Sequence, residues 1–410
     1  MEQNFRNYLT ITGGYWAFTI SDGAIRMLVV LYFYQLGYSP LEIAMLFLFY
    51  EFFGIVTNLV GGWLGARIGL NRTMHIGMIL QIIALLMLTV PAAWLSVPFV
   101  MAAQALSGIA KDLNKMSAKA GVKLFVPTQS SPNSNPGMDS DGDSKLFRWV
   151  AMLTGSKNAL KGAGFFVGGA LLAWVGFRGA LIILAAMLSV ALLITWLLLP
   201  PEMGKTRAKT KFSAIFSKSP AINYLSAARF FLFGARDVWF VVGLPVFMAA
   251  ELGWSFTQVG SFFALWVIGY GIVQAAAPGL LKRISGHPDG RMVAIWAFIL
   301  AAVPALIVWL LQSQVNVTAS IVGGLALFGF IFAVNSAAHS YLIVSWSDHE
   351  KVSMNVGFYY MANAGGRLAG TVLSGLIYQS MGLSGCLWFS SAFLIAAALI
   401  SLRLPRTTTL

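Results

Sequence analysis

Twelve ionisable side chains of this sequence stand in stretches that are otherwise apolar. Asp22 and Arg26 lie in the first such stretch, Glu51 in the second, and Lys111, Asp112 and Lys115 in the fourth. Lys157 and Lys161 lie in the fifth, Arg229, Arg236 and Asp237 in the seventh, and Arg367 in the eleventh. A charge at the middle of a bilayer costs about 2.5 kcal/mol or more even on the lenient insertion scale, so function is the default reason for keeping one there. Eight of the twelve are basic and four acidic, a surplus of four positive charges. Asp22 and Arg26 sit at i and i+4, acid first, which predicts an ion pair on one helix face. Lys111 with Lys115, and Lys157 with Lys161, have the same spacing but like charge. Like charges on one face repel, the more so at low dielectric. Packing does not justify such pairs; a watered cavity that receives an anion does. Static ion pairs with Asp112, Glu51 and Asp237 would absorb about half of the basic residues and leave the rest for that anion.

The candidate substrate-binding residues are therefore Lys111, Lys115, Lys157, Lys161, Arg26, Arg236 and Arg367, with the amides of Asn114 and Asn158 as further donors. The carboxylates Asp22, Glu51, Asp112 and Asp237 are the candidates for proton coupling, because a carboxylate changes charge when its surroundings change. No catalytic residue is expected. The sequence has no nucleophile elbow, and Gly162-x-Gly164 lacks the continuation and the preceding strand of a nucleotide-binding loop. The four histidines are scattered and Cys386 is the single cysteine, so neither a metal nor a disulfide nor a cofactor is predicted.

The elements that must carry these residues are membrane spans. Hydrophobic types form 58% of the 410 residues and charged types 10%, well below the roughly 25% of a soluble domain. Runs of about 18 or more apolar residues read as transmembrane helices. The sequence predicts an all-α integral membrane protein with helices near 8–35, 40–66, 73–95, 98–124, 146–174, 178–200, 220–249, 255–281, 291–313, 318–346, 352–380 and 384–404. The start, MEQNFRNYLT, lacks the pattern of a cleavable signal peptide. Lys and Arg gather in the even-numbered connections, from Arg67 and Arg72 through Lys205–Lys218 to Lys351, while the odd ones hold little beyond Arg178. Positive residues stay inside, so both termini are expected to be cytoplasmic. Most of the net charge of +13 reports this topology, and no nucleic-acid partner is implied.

The chain also repeats. Leu36-Gly37-Tyr38-Ser39 with Glu42-Ile43 matches Leu252-Gly253-Trp254-Ser255 with Gln258-Val259 at an offset of 216. The expected organisation is an N-terminal six-helix half over 1–200, a basic cytoplasmic linker over 201–219 and a C-terminal six-helix half over 220–410. Residues 127–144, rich in Pro, Ser, Asn, Gly and Asp, read as a loop. Parallel six-helix repeats around a linker resemble the major facilitator superfamily, whose substrate site lies between the halves. The connection Gly62-Trp-Leu-Gly65-Ala66-Arg67-Ile-Gly69-Leu-Asn-Arg72 resembles that superfamily's loop signature, with Ala66 in place of the usual Asp. Gly164-Phe-Phe-Val-Gly168-Gly169 resembles the tail of its antiporter motif, with Phe165 in place of Pro, and reads equally well as plain small-residue packing. The gating candidates are thus Gly62, Gly65, Arg67, Gly69, Arg72, Gly164, Gly168 and Gly169.

Longer segments are similar to one branch of that superfamily. They are Tyr8–Phe33 with its Asp22-Gly-Ala-Ile-Arg26, Ala105–Lys119, Leu153–Gly164 and Ala228–Trp239. Together they resemble the organoarsenical efflux permeases, the ArsJ family. The resemblance spans nearly the whole chain and fades at 127–144. It implies export of 1-arseno-3-phosphoglycerate by alternating access across a bacterial inner membrane, arsenate resistance, and a functional link to a glyceraldehyde-3-phosphate dehydrogenase. A monomer in the lipid bilayer is expected. The alternative is a permease of the same fold for another organic phosphate or carboxylate; a channel or a sensor is a weaker reading.

Overall fold

The computed structural model describes residues 2–125, 140–200, 219–285, 288–313, 315–346 and 352–406. Every regular element among the described residues is helical. They are α1 (Glu2–Gln35), α2 (Pro40–Leu46), α3 (Leu48–Ile68), α4 (Leu70–Met87), α5 (Val97–Phe125), α6 (Ser140–Leu198), α7 (Pro220–Phe240), α8 (Gly243–Ala250), α9 (Phe256–Ser285), α10 (Gly290–Gln312), α11 (Val317–Ser345) and α12 (Val352–Ser401). Helices α2 and α3 form one span broken at Phe47, and α7 and α8 one span broken at Val241 and Val242. Helices α6 and α12 are each two spans, turned at Gly176 (φ 71°) and Gly382 (φ 64°). Positive φ suits glycine because it has no Cβ. Twelve elements, less two joins, plus two turns, give twelve crossings. The third span ends earlier than the apolar run suggested. Helix α4 stops at Met87 and a single turn, Ala92–Trp94, follows. Pro91 explains this: it lacks an N–H and disfavours helix at the residue before it.

The two halves repeat in detail. Ser39 N donates to Glu42 Oε2 at 2.8 Å and Ser255 N to Gln258 Oε1 at 2.8 Å. In return Glu42 N and Gln258 N each donate to the serine hydroxyl at 3.3 Å. Each is a capping box that starts a helix just after a positive-φ glycine, Gly37 or Gly253. Beyond the loop expected at 127–144 the offset falls from 216 to 206, which is the spacing of Gly176 and Gly382. The first half therefore carries about ten extra residues there; 126–139 themselves lie outside the described residues, as does the expected linker at 201–218.

Among the described residues eight stretches are long and apolar enough to cross a membrane, and the turns at Gly176 and Gly382 divide two of them. Leu193, Trp196 and Leu197, with Leu265 and Ile272, present bare apolar surface outward, as lipid contact requires. Trp94 and Trp174 are 71% and 73% exposed near the Gly37 end, where an interfacial aromatic belt forms.

Glycines set the close approaches that place the charged residues. A Cβ on Gly164 would stand 2.5 Å from the Ile20 carbonyl oxygen, and one on Gly168 2.5 Å from that of Ala24. The backbones of α1 and α6 are thus in contact beside Asp22, Arg26 and Lys161. The halves meet the same way: Gly169 of α6 lies against Phe256 of α9, and Gly375 of α12 against Pro40 of α2. Both seams lie toward the Gly37 and Gly253 end of the bundle.

Candidate anion-binding site

Five charged side chains form one row through the centre. Arg26 Nη2 and Arg367 Nη2 both reach Glu51 Oε1 at 2.6 Å. Arg367 Nε reaches Asp237 Oδ2 at 3.3 Å, and Arg236 Nε donates to Asp237 Oδ1 at 2.6 Å. Arg26 and Glu51 belong to the first half; Arg236, Asp237 and Arg367 belong to the second. The Glu51–Arg367 pair therefore joins the halves. Both carboxylates are 1% exposed, so these bonds form in low dielectric, where each is stronger than at a surface.

The expected Asp22–Arg26 pair does not form. Asp22 Oδ1 accepts a 2.5 Å hydrogen bond from the Tyr50 hydroxyl, and Arg26 turns to Glu51 instead. The reason lies on α3. Tyr50 and Glu51 are consecutive there; the phenol occupies Asp22, while Glu51 offers an ionised acceptor and the Tyr50 ring lies 4.7 Å from the guanidinium.

Lys111 and Lys115 do not face each other bare. Asp112 lies against both, at 3.8 Å from Lys111 Nζ and 3.5 Å from Lys115 Nζ. Lys111 also rests over the Tyr50 ring at 4.0 Å, and Lys115 donates to Asn58 Oδ1 at 3.2 Å. Carboxylates thus engage Arg26, Lys111, Lys115, Arg236 and Arg367, five of the eight basic residues and more than the expected half. Asp112 lowers the repulsion that the Lys111–Lys115 spacing alone implied.

Lys161 is different. No carboxylate stands within ion-pair distance of it among the described residues, and its Nζ lies 5.9 Å from the Phe165 ring. Lys157 is one turn earlier on α6. Asn158 donates to Gln274 Oε1 of α9 at 3.0 Å, across the halves. Asn114 is not part of this centre: its amide donates to the Ala110 carbonyl and packs on Gly77 of α4. Of the gating candidates, Gly164 and Gly168 pack on α1, Gly169 on α9, Gly69 turns the chain at φ 94° and Arg72 is exposed. The surroundings of Gly62 and Gly65 and the side chain of Arg67 lie outside what is described.

The centre is sealed on one side and wider on the other. Toward Gly37, the rings of Phe47, Phe165, Phe240 and Phe263 close around a cavity of about 20 Å³ next to Arg26. Phe47 and Phe263 are repeat partners at the offset of 216. Toward the chain termini, a groove of about 500 Å³ lies among Ile55 of α3, Asn223 and Phe230 of α7, and Phe358 and Met361 of α12. Two contributors were not among the predicted binding residues. Tyr50, which binds Asp22 and faces two cations, is one aromatic among many. Arg229 stands out in sequence as a charge, but nothing there shows its isolation.

Residues 11–243 and 225–409 match the family model of the Major Facilitator Superfamily. The chain belongs to that superfamily. Superfamily membership makes it a multi-pass membrane transporter and not an enzyme. No curated protein matches it in sequence. Among solved structures it is similar to the nucleoside transporter NupG, with TM-score 0.70, 14% identity, and 97% of this chain and 98% of that one covered. It is also similar to a POT family transporter in complex with 5-aminolevulinic acid, with TM-score 0.73, 13% identity and 96% and 95% covered. A bacterial homologue of the human drug peptide transporters PepT1 and PepT2 gives TM-score 0.70 at 14% identity, with 97% of each chain covered. At these identities the likeness is one of fold.

Proposed function

We propose that this superfamily member is a secondary transporter that exports a small organic anion by alternating access, with 1-arseno-3-phosphoglycerate as its cargo. The observation that carries the anion is the charge balance of the bundle interior. Eight basic groups stand there with four acids, each acid is engaged at 1–4% exposure, and Lys161 keeps no carboxylate partner among the described residues. An oxyanion bound by Lys161 beside Arg26 and Lys111 would lower that excess. The arsenical identity rests on the resemblance of four segments to the ArsJ family, and the two acidic groups of that molecule suit a centre with surplus cations. The same reading places the protein in a bacterial inner membrane with cytoplasmic termini, as a monomer working with a glyceraldehyde-3-phosphate dehydrogenase. Glu51 and Asp237 are the proposed proton carriers, because each loses one of its two guanidinium partners if Arg367 turns to cargo.

The test is arsenate resistance in a sensitive bacterial host, with and without the dehydrogenase. Resistance that needs both proteins and disappears in Lys157→Ala and Lys161→Ala, at unchanged expression, is the expected result. Resistance untouched in both variants would sink the site. Resistance independent of the dehydrogenase would redirect the cargo to another organic phosphate or carboxylate.

A further inference from the structure

Arg229 of α7 is 4% exposed and has no acidic partner among the described residues. Its Nη1 donates to the Ser336 carbonyl at 3.2 Å and to the Ser336 hydroxyl at 3.0 Å. Its Nε has no partner, and its guanidinium lies over the rings of Phe233 and Tyr359 at 4.0 and 5.1 Å. A buried charge without compensation is costly, so an unmatched guanidinium inside a helix bundle calls for an anion. The neighbours agree. Asn335, Ser336 and His339 share one face of α11 by helical spacing. Both ends of the Asn335 amide and Nδ1 of His339 are unpartnered, at 0% and 1% exposure. Two buried side chains with open hydrogen-bonding atoms thus lie on the α11 face whose Ser336 binds the buried cation.

The place of Arg229 relative to the central row is informative. Phe233 is shared with Arg236, whose guanidinium lies 4.9 Å from the centre of the same ring. Seven residues of helix set the two arginines about 10 Å apart along α7, with Arg229 nearer the chain termini. Ser336 also accepts from Gln274 at 3.4 Å, and Gln274 accepts from Asn158 of the first half. A line of polar groups therefore runs from the seam between the halves to Arg229.

The geometry points to a second anion-binding site built on Arg229, with Asn335, Ser336 and His339, which holds one acidic group of an organic anion on the terminal side of the central row. This rests on the anionic cargo proposed above. The site is separate from Lys161, so the two fail separately.

The experiment is calorimetric titration of the purified full-length protein with inorganic phosphate, for wild type, Arg229→Gln, Arg229→Lys and Lys161→Ala, each checked for monodisperse elution. Wild type is expected to bind phosphate in two events. Arg229→Gln weakens one of them about tenfold or more, the loss of a charge-assisted contact, and Arg229→Lys restores most of it. Lys161→Ala weakens the other event and leaves this one. If Arg229→Gln does not fold, Asn335→Leu carries the test and must weaken the same event. Unchanged binding in Arg229→Gln overturns the site. So does a single phosphate that only Lys161→Ala removes, although the central reading then stands. Absence of phosphate binding in wild type also overturns it, while the resistance test still decides the transporter's cargo.

Discussion

Glu51 accepts from two guanidiniums, one from each half, on the same oxygen. Removing Glu51 leaves Arg26 buried without its carboxylate, whereas removing Arg367 leaves Glu51 with Arg26 and Asp237 with Arg236. Glu51→Ala should destabilise the protein by about 3 kcal/mol or more, and Arg367→Ala by less. The double variant should fall short of the sum by about 1–3 kcal/mol, the signature of groups in direct contact. Denaturation in detergent measures this; additive losses would mean the pair is not formed. At this scale the sequence revealed which residues matter and not whom they meet. A charge in an apolar run is conspicuous, so Glu51, Asp237 and Arg367 were legible. Their pairing spans 316 residues in the case of Glu51 and Arg367, and no local spacing encodes it. The local rule that was available, acid and base at i and i+4, gave Asp22–Arg26, and Tyr50 overrode it.

Helices α1 and α6 touch through Gly164 and Gly168, whereas Gly176 only turns the chain and has open space around it. The two kinds of glycine should respond differently to alanine. Gly176→Ala meets no atom within 4 Å and costs backbone strain alone, about 1–3 kcal/mol at φ 71° and ψ 176°, with transport retained. Gly168→Ala forces α1 away from α6, at about 1–3 kcal/mol for overpacking, with loss of transport. Uptake assays on both variants decide it; equal loss of transport would contradict the packing role. The spans themselves were legible because apolar length and basic connections are strong signals. The break at Phe47 and the early end of α4 were not, since hydrophobicity continues across both.

The whole bundle is closed at the Gly37 and Gly253 end, where Leu41 N donates to Gln379 Oε1 at 3.2 Å between the halves. In a Cys386→Ser background, Leu41→Cys with Gln379→Cys should cross-link readily in the resting protein and stop transport, with recovery on reduction. Full transport by cross-linked protein would show that this end need not open. The charge row that ties the halves has a further property. It alternates from Arg26 through Glu51, Arg367 and Asp237 to Arg236, so it contains an odd number of ions and both tips carry the same sign. It resembles a fragment of an ionic crystal cut one anion short. A monovalent guest completes the lattice at one tip, and a divalent one must draw on Lys161 as well. Discrimination then follows the valence of the guest before the shape of its carbon frame.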